Sequence, residues 1–153
     1  KVKLSNLLIN YLQKRHLLFL LAVRNDISTR IWHRNNEIFS IEQAESWFNI
    51  NHHKWKIILV NNEPVGYIRL HDKKGKSIYI GCDIHILYRR KGYAESAYKI
   101  IISKLRKIGY KILFLEVKKD NIAAINLYDK LGFKEIERKD GWIKMEYRIK
   151  NEK

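Results

Sequence analysis

A short basic stretch with one glycine is the clearest candidate for chemistry in this sequence. It reads Arg89, Arg90, Lys91, Gly92, Tyr93, Ala94. Hydrophobic periodicity predicts a strand before it and a long helix after it, so its backbone N–H groups and the positive end of the helix dipole would face the same way. Such a turn can bind a pyrophosphate, and Gly92 would let the backbone approach the phosphate oxygens. A basic turn before a helix is more often simply solvated, and these residues alone leave both interpretations open.

The elements that must position this loop follow from changes in hydrophobic period. Helices are expected over residues 17–25, 27–34, 40–49, 92–108 and 122–131. Strands are expected over residues 56–60, 64–70, 77–86 and 111–117, with a closing hairpin over 133–149. Ser40 and Gln43 have the spacing of a capping box, which opens a helix by satisfying its first N–H groups. We therefore predict an α/β fold with a mixed, mostly antiparallel sheet of about six to seven strands, and a β-α-β unit over residues 77–117.

Composition limits the class of protein. The chain has 153 residues and a formal net charge of +15, which fits one domain over residues 1–153. It begins at Lys1 rather than Met, so it is compatible with a segment of a longer protein. The longest apolar run, residues 17–23, is far shorter than the roughly 20 residues of a membrane span, and no signal peptide is visible. We expect a cytoplasmic protein with no membrane contact.

Cysteine and histidine usage gives no sign of a metal. Cys82 is the single cysteine, so it cannot form an internal disulfide, and its apolar strand favours a small core residue over a nucleophile. His52 and His53 are adjacent without a third ligand at a useful spacing, which favours a solvated loop. The positive charge suits acidic partners. Nucleic acid is one, but a cofactor and a substrate that both carry phosphate would be attracted in the same way.

Two motifs together resemble the GNAT family of N-acetyltransferases. The first, Arg89-x-x-Gly92-x-Ala94, matches the family's (Gln/Arg)-x-x-Gly-x-(Gly/Ala) signature. The second reads Leu115-Glu116-Val117, then Asn121-x-x-Ala124-x-x-Leu127-Tyr128-x-x-Leu131-Gly132-Phe133. The resemblance covers residues 65–149 well and the N-terminal third more loosely. It implies the GNAT fold and an acetyl-CoA-dependent enzyme.

The resemblance also implies where acetyl-CoA, the cosubstrate, would bind. Residues 89–94 would hold its pyrophosphate. The strand that ends near Ile84 and Ile86 would diverge from the strand at 111–117 and leave backbone groups for the pantetheine arm. Asn121 matches a family position that contacts the cofactor. Ile86 stands where many members have proline, a departure from which we expect little harm.

The resemblance to the family also implies which residues act as the general acid and the general base. Tyr128 matches the usual general acid, which protonates the departing thiolate; the alternative is a core aromatic. Glu116 precedes Tyr128 by the spacing found in ribosomal-protein N-terminal acetyltransferases, where that glutamate is the proposed base. A glutamate in water has a pKa of about 4.3, so it needs burial or a relaying water to act. Asp83 and His85, on the neighbouring strand, are rivals for the role.

The remaining hypotheses differ in the amine that accepts the acetyl group. Arg24, Asn25, Trp32 and the segment 40–48 resemble acetyltransferases of nucleotide-linked amino-deoxy-sugars, and we take these three residues as substrate-binding candidates. The match over residues 115–133 instead suggests a protein N-terminus. A third class is a basic binding module without activity. The small-molecule amino-sugar nucleotide is narrowly favoured as the acceptor, and nucleic acid is disfavoured as a partner. The sequence leaves the oligomeric state open, with a homodimer as one option.

Overall fold

The protein is described by a computed structural model that covers residues 6–51 and 54–150. Its helices are α1 (Leu17–Asn25), α2 (Ile27–Arg30), α3 (Ile41–Asn51), α4 (Tyr93–Ile108) and α5 (Ile122–Leu131). Its strands are β1 (Leu7–Tyr11), β2 (Lys56–Val60), β3 (Glu63–Lys73), β4 (Ser77–Ile84), β5 (Ile112–Lys118), β6 (Lys134–Lys139) and β7 (Trp142–Arg148).

These strands form one mixed sheet in the order β1-β2-β3-β4-β5-β7-β6. β4 and β5 run parallel on either side of α4 in the chain, whereas β1 with β2, β2 with β3, β5 with β7 and β6 with β7 are antiparallel. The predicted α/β fold and its β-α-β unit are therefore confirmed. His52 and His53, predicted as a solvated loop, lie outside the described residues.

Most element boundaries agree with the prediction, but the helix expected over residues 27–34 ends at Arg30. The capping box forms as expected: Ser40 N donates to Gln43 Oε1 at 2.8 Å, and Gln43 N donates to Ser40 Oγ at 3.1 Å. The third strand of the meander was predicted to reach residue 86 but ends at Ile84. His85 starts a 3-10 turn there, because its Nδ1 accepts a hydrogen bond from Leu87 N at 3.1 Å.

By its internal contacts the described chain divides into two compact units. The first holds residues 6–69 together with Cys82–Ala97, and the second holds Leu70–Gly81 together with residues 98–150. The strands β3 and β4 and the helix α4 contribute residues to both. The single-domain assignment of residues 1–153 stays a prediction.

The first unit contains a cluster of buried apolar side chains: Leu12, Leu20, Val23, Ile57, Leu59 and Tyr67. Aromatic rings complete it. Trp47 lies edge-on to Trp55 at 4.5 Å between centroids, and Trp55 stacks on Tyr67 at 5.4 Å. Each partly or fully buried ring of this size contributes stabilisation in proportion to the apolar area it removes from water.

The second unit is organised around β5 and the hairpin of β6 and β7. Along β5, Leu113, Leu115 and Val117 are buried while Glu116 is exposed, which is the two-residue period of a strand. The hairpin turns at Asp140 and Gly141, whose φ angles of 54° and 83° lie in the left-handed region. That pair has the residue types of a two-residue hairpin turn, as predicted.

Candidate functional site

The basic loop leads into α4 in the expected arrangement. Arg90 and Gly92 have φ angles of 64° and 82°, so the chain turns sharply before Tyr93 begins the helix. Ser96 N bonds back to the Gly92 carbonyl at 3.1 Å, so the N–H groups before it precede the hydrogen-bond ladder of the helix. Apart from the two residues adjacent to Gly92 in the chain, no heavy atom of the described residues lies within 4 Å of the position a Gly92 Cβ would take. The loop thus presents open space at the positive end of a 16-residue helix.

Arg89 is engaged inside the protein. Its Nε donates to the Ile84 carbonyl at 2.9 Å, and its two terminal nitrogens donate to Ser28 Oγ at 2.9 Å and to Thr29 Oγ1 at 2.8 Å. The guanidinium therefore ties the loop to α2 and to the end of β4. Within residues 89–94, the exposed cations are Arg90 and Lys91.

The other residues that are predicted to contact the cofactor differ in how exposed they are. Tyr93 is buried, with 6% of its surface exposed, and Ala94 is half-buried. Ile84 is buried and its carbonyl accepts from Arg89, whereas Ile86 is half exposed. The parallel register joins residues 77–79 of β4 to residues 112–114 of β5. That register leaves residues 115–118 of β5 paired with β7.

A buried polar cluster lies on β3 and β4 in the first unit. His33 Nε2 is 3.2 and 3.1 Å from the two carboxylate oxygens of Asp83, and Arg69 Nε donates to Asp83 Oδ2 at 3.1 Å. The side chains of His33 and Asp83 are 13% and 12% exposed. Burial alone raises the pKa of the Asp83 carboxyl, but the Arg69 charge and the His33 hydrogen bond outweigh it and hold that pKa well below its usual range.

Asp83 is consequently ionised near neutral pH, and both of its oxygens are engaged by His33 and Arg69. The same charge, together with burial as the larger cause, raises the pKa of Tyr67 well above its usual range. Sequence reasoning found Asp83 but missed His33 and Arg69. No local spacing could have pointed to His33, which lies 50 residues before its partner.

Two of the three substrate-binding candidates support the chain between α2 and α3. Arg24 is buried, donates a hydrogen bond to the Asn35 carbonyl and lies over the Phe39 ring, 5.0 Å from its centroid. Asn25 Nδ2 donates to the Phe39 carbonyl and Asn25 Oδ1 accepts from Phe39 N, both at 2.9 Å. Trp32 is 36% exposed and remains accessible to a ligand. Their role toward a substrate stays a prediction.

Asn121 and Tyr128 belong to α5 in the second unit. Asn121 caps the helix, with Oδ1 accepting from Ala124 N at 3.4 Å. The half-buried Tyr128 ring lies edge-on to Tyr98 at 5.8 Å and tilted against Phe133 at 5.9 Å. Packing fixes the ring and is compatible with either predicted interpretation, a general acid or a core aromatic.

Glu116 is exposed on β5, opposite Lys144 of β7 in the strand register. A hydrogen bond with Tyr79 is the main cause that raises the pKa of Lys144, and the Glu116 charge adds to it. Lys144 therefore stays protonated, opposite the accessible carboxyl group of Glu116.

The remaining candidates are held by other contacts. His85 uses Nδ1 for the Leu87 hydrogen bond and stacks on Phe19, with 5.9 Å between centroids. Burial raises the pKa of the Cys82 thiol, which disfavours a nucleophilic thiolate. Across the described ranges, no group of three or more His, Cys, Asp or Glu could hold a metal ion, and no helix has the length and apolarity to cross a bilayer.

Comparison with known proteins fixes the family. The model of the acetyltransferase (GNAT) family matches residues 24–133, which is more than two thirds of the chain. The protein belongs to this family, and the resemblance found in its motifs is confirmed.

Particular relatives carry more specific names. A ribosomal protein bS18-alanine N-acetyltransferase of Escherichia coli is 44% identical over 48 residues, 31% of this chain and 32% of the relative. The match thus spans about a third of that relative's length. The Haemophilus ducreyi protein of the same name is 28% identical over 116 residues, 66% of this chain and 77% of the relative.

A solved structure extends the likeness in fold. Spermidine N-acetyltransferase from Vibrio cholerae, in complex with CoA and spermine, superposes with a TM-score of 0.85 at 18% identity, over 95% of this chain and 96% of that one.

Proposed function

We propose that this protein transfers an acetyl group from acetyl-CoA to a primary amine. The observation that carries the proposal is the loop before α4, which offers open space at Gly92, a helix N-terminus and two exposed cations, Arg90 and Lys91. These features fit a pyrophosphate. Family membership and the CoA-bound neighbour support the same assignment.

The phosphate contacts in this proposal differ from the sequence motif in one respect. Because Arg89 is held by Ser28, Thr29 and the Ile84 carbonyl, it positions the loop. The backbone N–H groups, Arg90 and Lys91 are left to bind the phosphates. When bound, acetyl-CoA supplies the activated acetyl group as a thioester.

Tyr128 is the proposed acid. A thiol has a pKa of about 8.5 and a tyrosine about 10, so full proton transfer from an unperturbed tyrosine to the thiolate is uphill by roughly 2 kcal/mol. A hydrogen bond from its hydroxyl would nevertheless stabilise the negative charge that develops on sulfur. The packing of the Tyr128 ring against Tyr98 and Phe133 limits its motion, which supports such a positioned donor.

Glu116 is the proposed base of the reaction. The geometry disfavours Asp83 and His85, since His33 and Arg69 already engage the carboxylate oxygens of Asp83 and Leu87 N occupies one nitrogen of His85. Glu116 is exposed and lies opposite Lys144 in the strand register.

A protein N-terminal amine is the first candidate acceptor. The names of the Escherichia coli and Haemophilus ducreyi relatives favour it, and the longer alignment spans most of that relative. An α-amino group has a pKa of about 8 and is partly neutral at physiological pH. A weaker base is therefore enough to remove its proton than a lysine side chain would need.

A nucleotide-linked amino-deoxy-sugar is the second candidate. The net charge of +15 would attract its diphosphate. Trp32 is exposed and could stack on a base or an apolar sugar face, whereas Trp47 and Trp55 are engaged with each other.

A thiol-release assay with acetyl-CoA tests both acetyl transfer itself and the choice of acceptor. Acceptors would be an alanine-initiated peptide, a UDP-linked 4-amino-4,6-dideoxy sugar, and spermidine. Release above the acceptor-free rate with any of them supports acetyl transfer, and a tenfold preference in kcat/KM decides between peptide and sugar. No release with any amine, combined with no acetyl-CoA binding by calorimetry, would overturn the proposal.

A further inference from the structure

An ammonium group gives up two protons when it becomes an amide, and the two differ in acidity. The first leaves an ordinary amine, whose pKa in water is about 8 for an α-amino group and about 10.4 for a lysine. The second leaves the positively charged nitrogen of the tetrahedral adduct, which is far more acidic and can be taken by a carboxylate. A carboxylate such as Glu116 is poorly matched to the first step, because a glutamate in water lies about 4 pH units below an α-amine.

A histidine is better matched to that first proton, since an imidazole in water lies only about 1.5 pH units below an α-amine. His33 has the surroundings such a base needs. Its Nε2 faces both oxygens of the Asp83 carboxylate. An ionised carboxylate only accepts hydrogen bonds, so Nε2 carries the proton and the lone pair of the neutral ring is on Nδ1. Among the described residues, no hydrogen bond engages that Nδ1.

Contacts in the first unit tie this pair to the phosphate loop. His33 follows α2 closely, and His33 N donates to the Arg30 carbonyl at 3.1 Å. The hydroxyls of Ser28 and Thr29, in the same helix, accept from Arg89 of the loop. Asp83 is one residue before Ile84, whose carbonyl accepts from the same Arg89. The imidazole and the loop are therefore held by one continuous set of hydrogen bonds.

We propose that His33, oriented by Asp83, accepts the first proton of the acceptor ammonium at Nδ1. The proposal rests on the proposed function and concerns the first proton alone. The neutral amine attacks the thioester carbonyl, the C–N bond forms, and the C–S bond breaks. The adduct's second proton offsets the one that the departing thiolate takes up, and His33 releases the first to solvent. Acetyl-CoA and the ammonium thus give amide, CoA thiol and one proton.

The charges around His33 are suited to this role. Asp83 faces it from β4 and stabilises the imidazolium, while Arg69 and Tyr67 from β3 and Arg24 from α1 belong to the same polar cluster. The two guanidinium groups oppose accumulation of positive charge on the ring.

His33→Gln tests the proposal against His71→Gln, an exposed histidine on β3. With the best acceptor among the alanine peptide, the amino-sugar nucleotide and spermidine, His33→Gln should lower kcat at pH 7 at least about tenfold. It should leave the Kd for acetyl-CoA unchanged and regain activity as the pH rises and the amine loses its proton unaided. Added imidazole should restore part of the activity of His33→Ala, and His71→Gln should match the wild type.

A wild-type kcat and pH profile in a folded His33→Gln variant would overturn the proposal while leaving acetyl transfer intact. If the variants do not fold, a measurement on the wild-type protein still tests the role of His33. Nitrogen-15 NMR with each histidine assigned should show that the neutral His33 ring is protonated at Nε2. A neutral His33 ring protonated at Nδ1 contradicts the role. Absence of thiol release by the wild type refutes the proposed function and this role together.

Discussion

The buried polar cluster of the first unit and the aromatic packing around Tyr128 in the second unit position side chains in opposite ways. In the first, Asp83 is held by charged hydrogen bonds from residues far away in sequence. In the second, Tyr128, Phe133 and Tyr147 meet through ring contacts around the end of one short helix. The polar cluster depends on charge balance and is sensitive to pH, whereas the aromatic packing depends on shape and apolar area.

This comparison of the two regions predicts that a substitution at Asp83 has the largest effect, a loss of stability. Asp83→Asn keeps the shape but removes the carboxylate charge that Arg69 and His33 contact, and such a change typically costs about 3–5 kcal/mol of the free energy of unfolding. Urea denaturation at pH 7 measures it. Because the Asp83 pKa is lower in the folded than in the unfolded state, the ionised carboxylate stabilises the fold above about pH 4, and this contribution is lost as the pH falls below that value.

The variant should therefore show a weaker acid dependence than the wild type, with Tm falling less between pH 5 and pH 2. Asp129→Asn, an exposed carboxylate on α5, serves as the control and should leave stability and pH dependence nearly unchanged. Equal stability of Asp83→Asn and wild type at pH 7 would mean that the cluster is not organised by charge.

Tyr128→Phe is expected to have the next largest effect. It removes one hydroxyl and keeps the ring contacts with Tyr98 and Phe133, so the fold and the Kd for acetyl-CoA should persist while kcat falls about 100-fold or more. Tyr147→Phe, in the same aromatic group, is the matched control and should retain kcat. Full turnover by Tyr128→Phe would return this residue to the role of a packing aromatic.

Replacement of Gly92 separates backbone strain from cofactor binding. Gly92 and Gly109 both have positive φ angles, 82° and 111°, and both have open space where a Cβ would lie. Valine at either position should destabilise the fold to a similar extent. Only Gly92→Val should weaken acetyl-CoA binding, by about tenfold or 1.4 kcal/mol in calorimetry. Equal affinity of the two folded variants would contradict the phosphate-loop assignment.

The smallest expected effect concerns the capping box of α3. Ser40→Ala removes the acceptor of the Gln43 N–H and should cost about 1 kcal/mol of the free energy of unfolding. Ser46→Ala, on the exposed face of the same helix, loses no cap and should be neutral or slightly stabilising. A similar loss in both variants, measured by urea denaturation, would show that the cap adds nothing to α3.

The sequence by itself determined the local features of this protein. The capping box at Ser40, the helix stop at Gly132, the hairpin turn at Asp140 and the glycine loop before α4 each depend on residues within a few positions of one another. Their geometry follows from backbone preferences that the residue types already express. The motifs of the family lie on these elements, so the family and the candidates Gly92, Glu116 and Tyr128 could be named in advance.

Only the tertiary structure decided which polar side chains meet. Arg89, predicted to bind phosphate, donates hydrogen bonds to Ser28 and Thr29, about 60 residues away, and its role toward the cofactor stays a prediction. Asp83, a rival base in the sequence analysis, has Arg69 and His33 beside it. The physical reason is that the protonation and hydrogen bonding of a charged side chain depend on its partners and its burial. Both are set by elements that come together from distant parts of the chain.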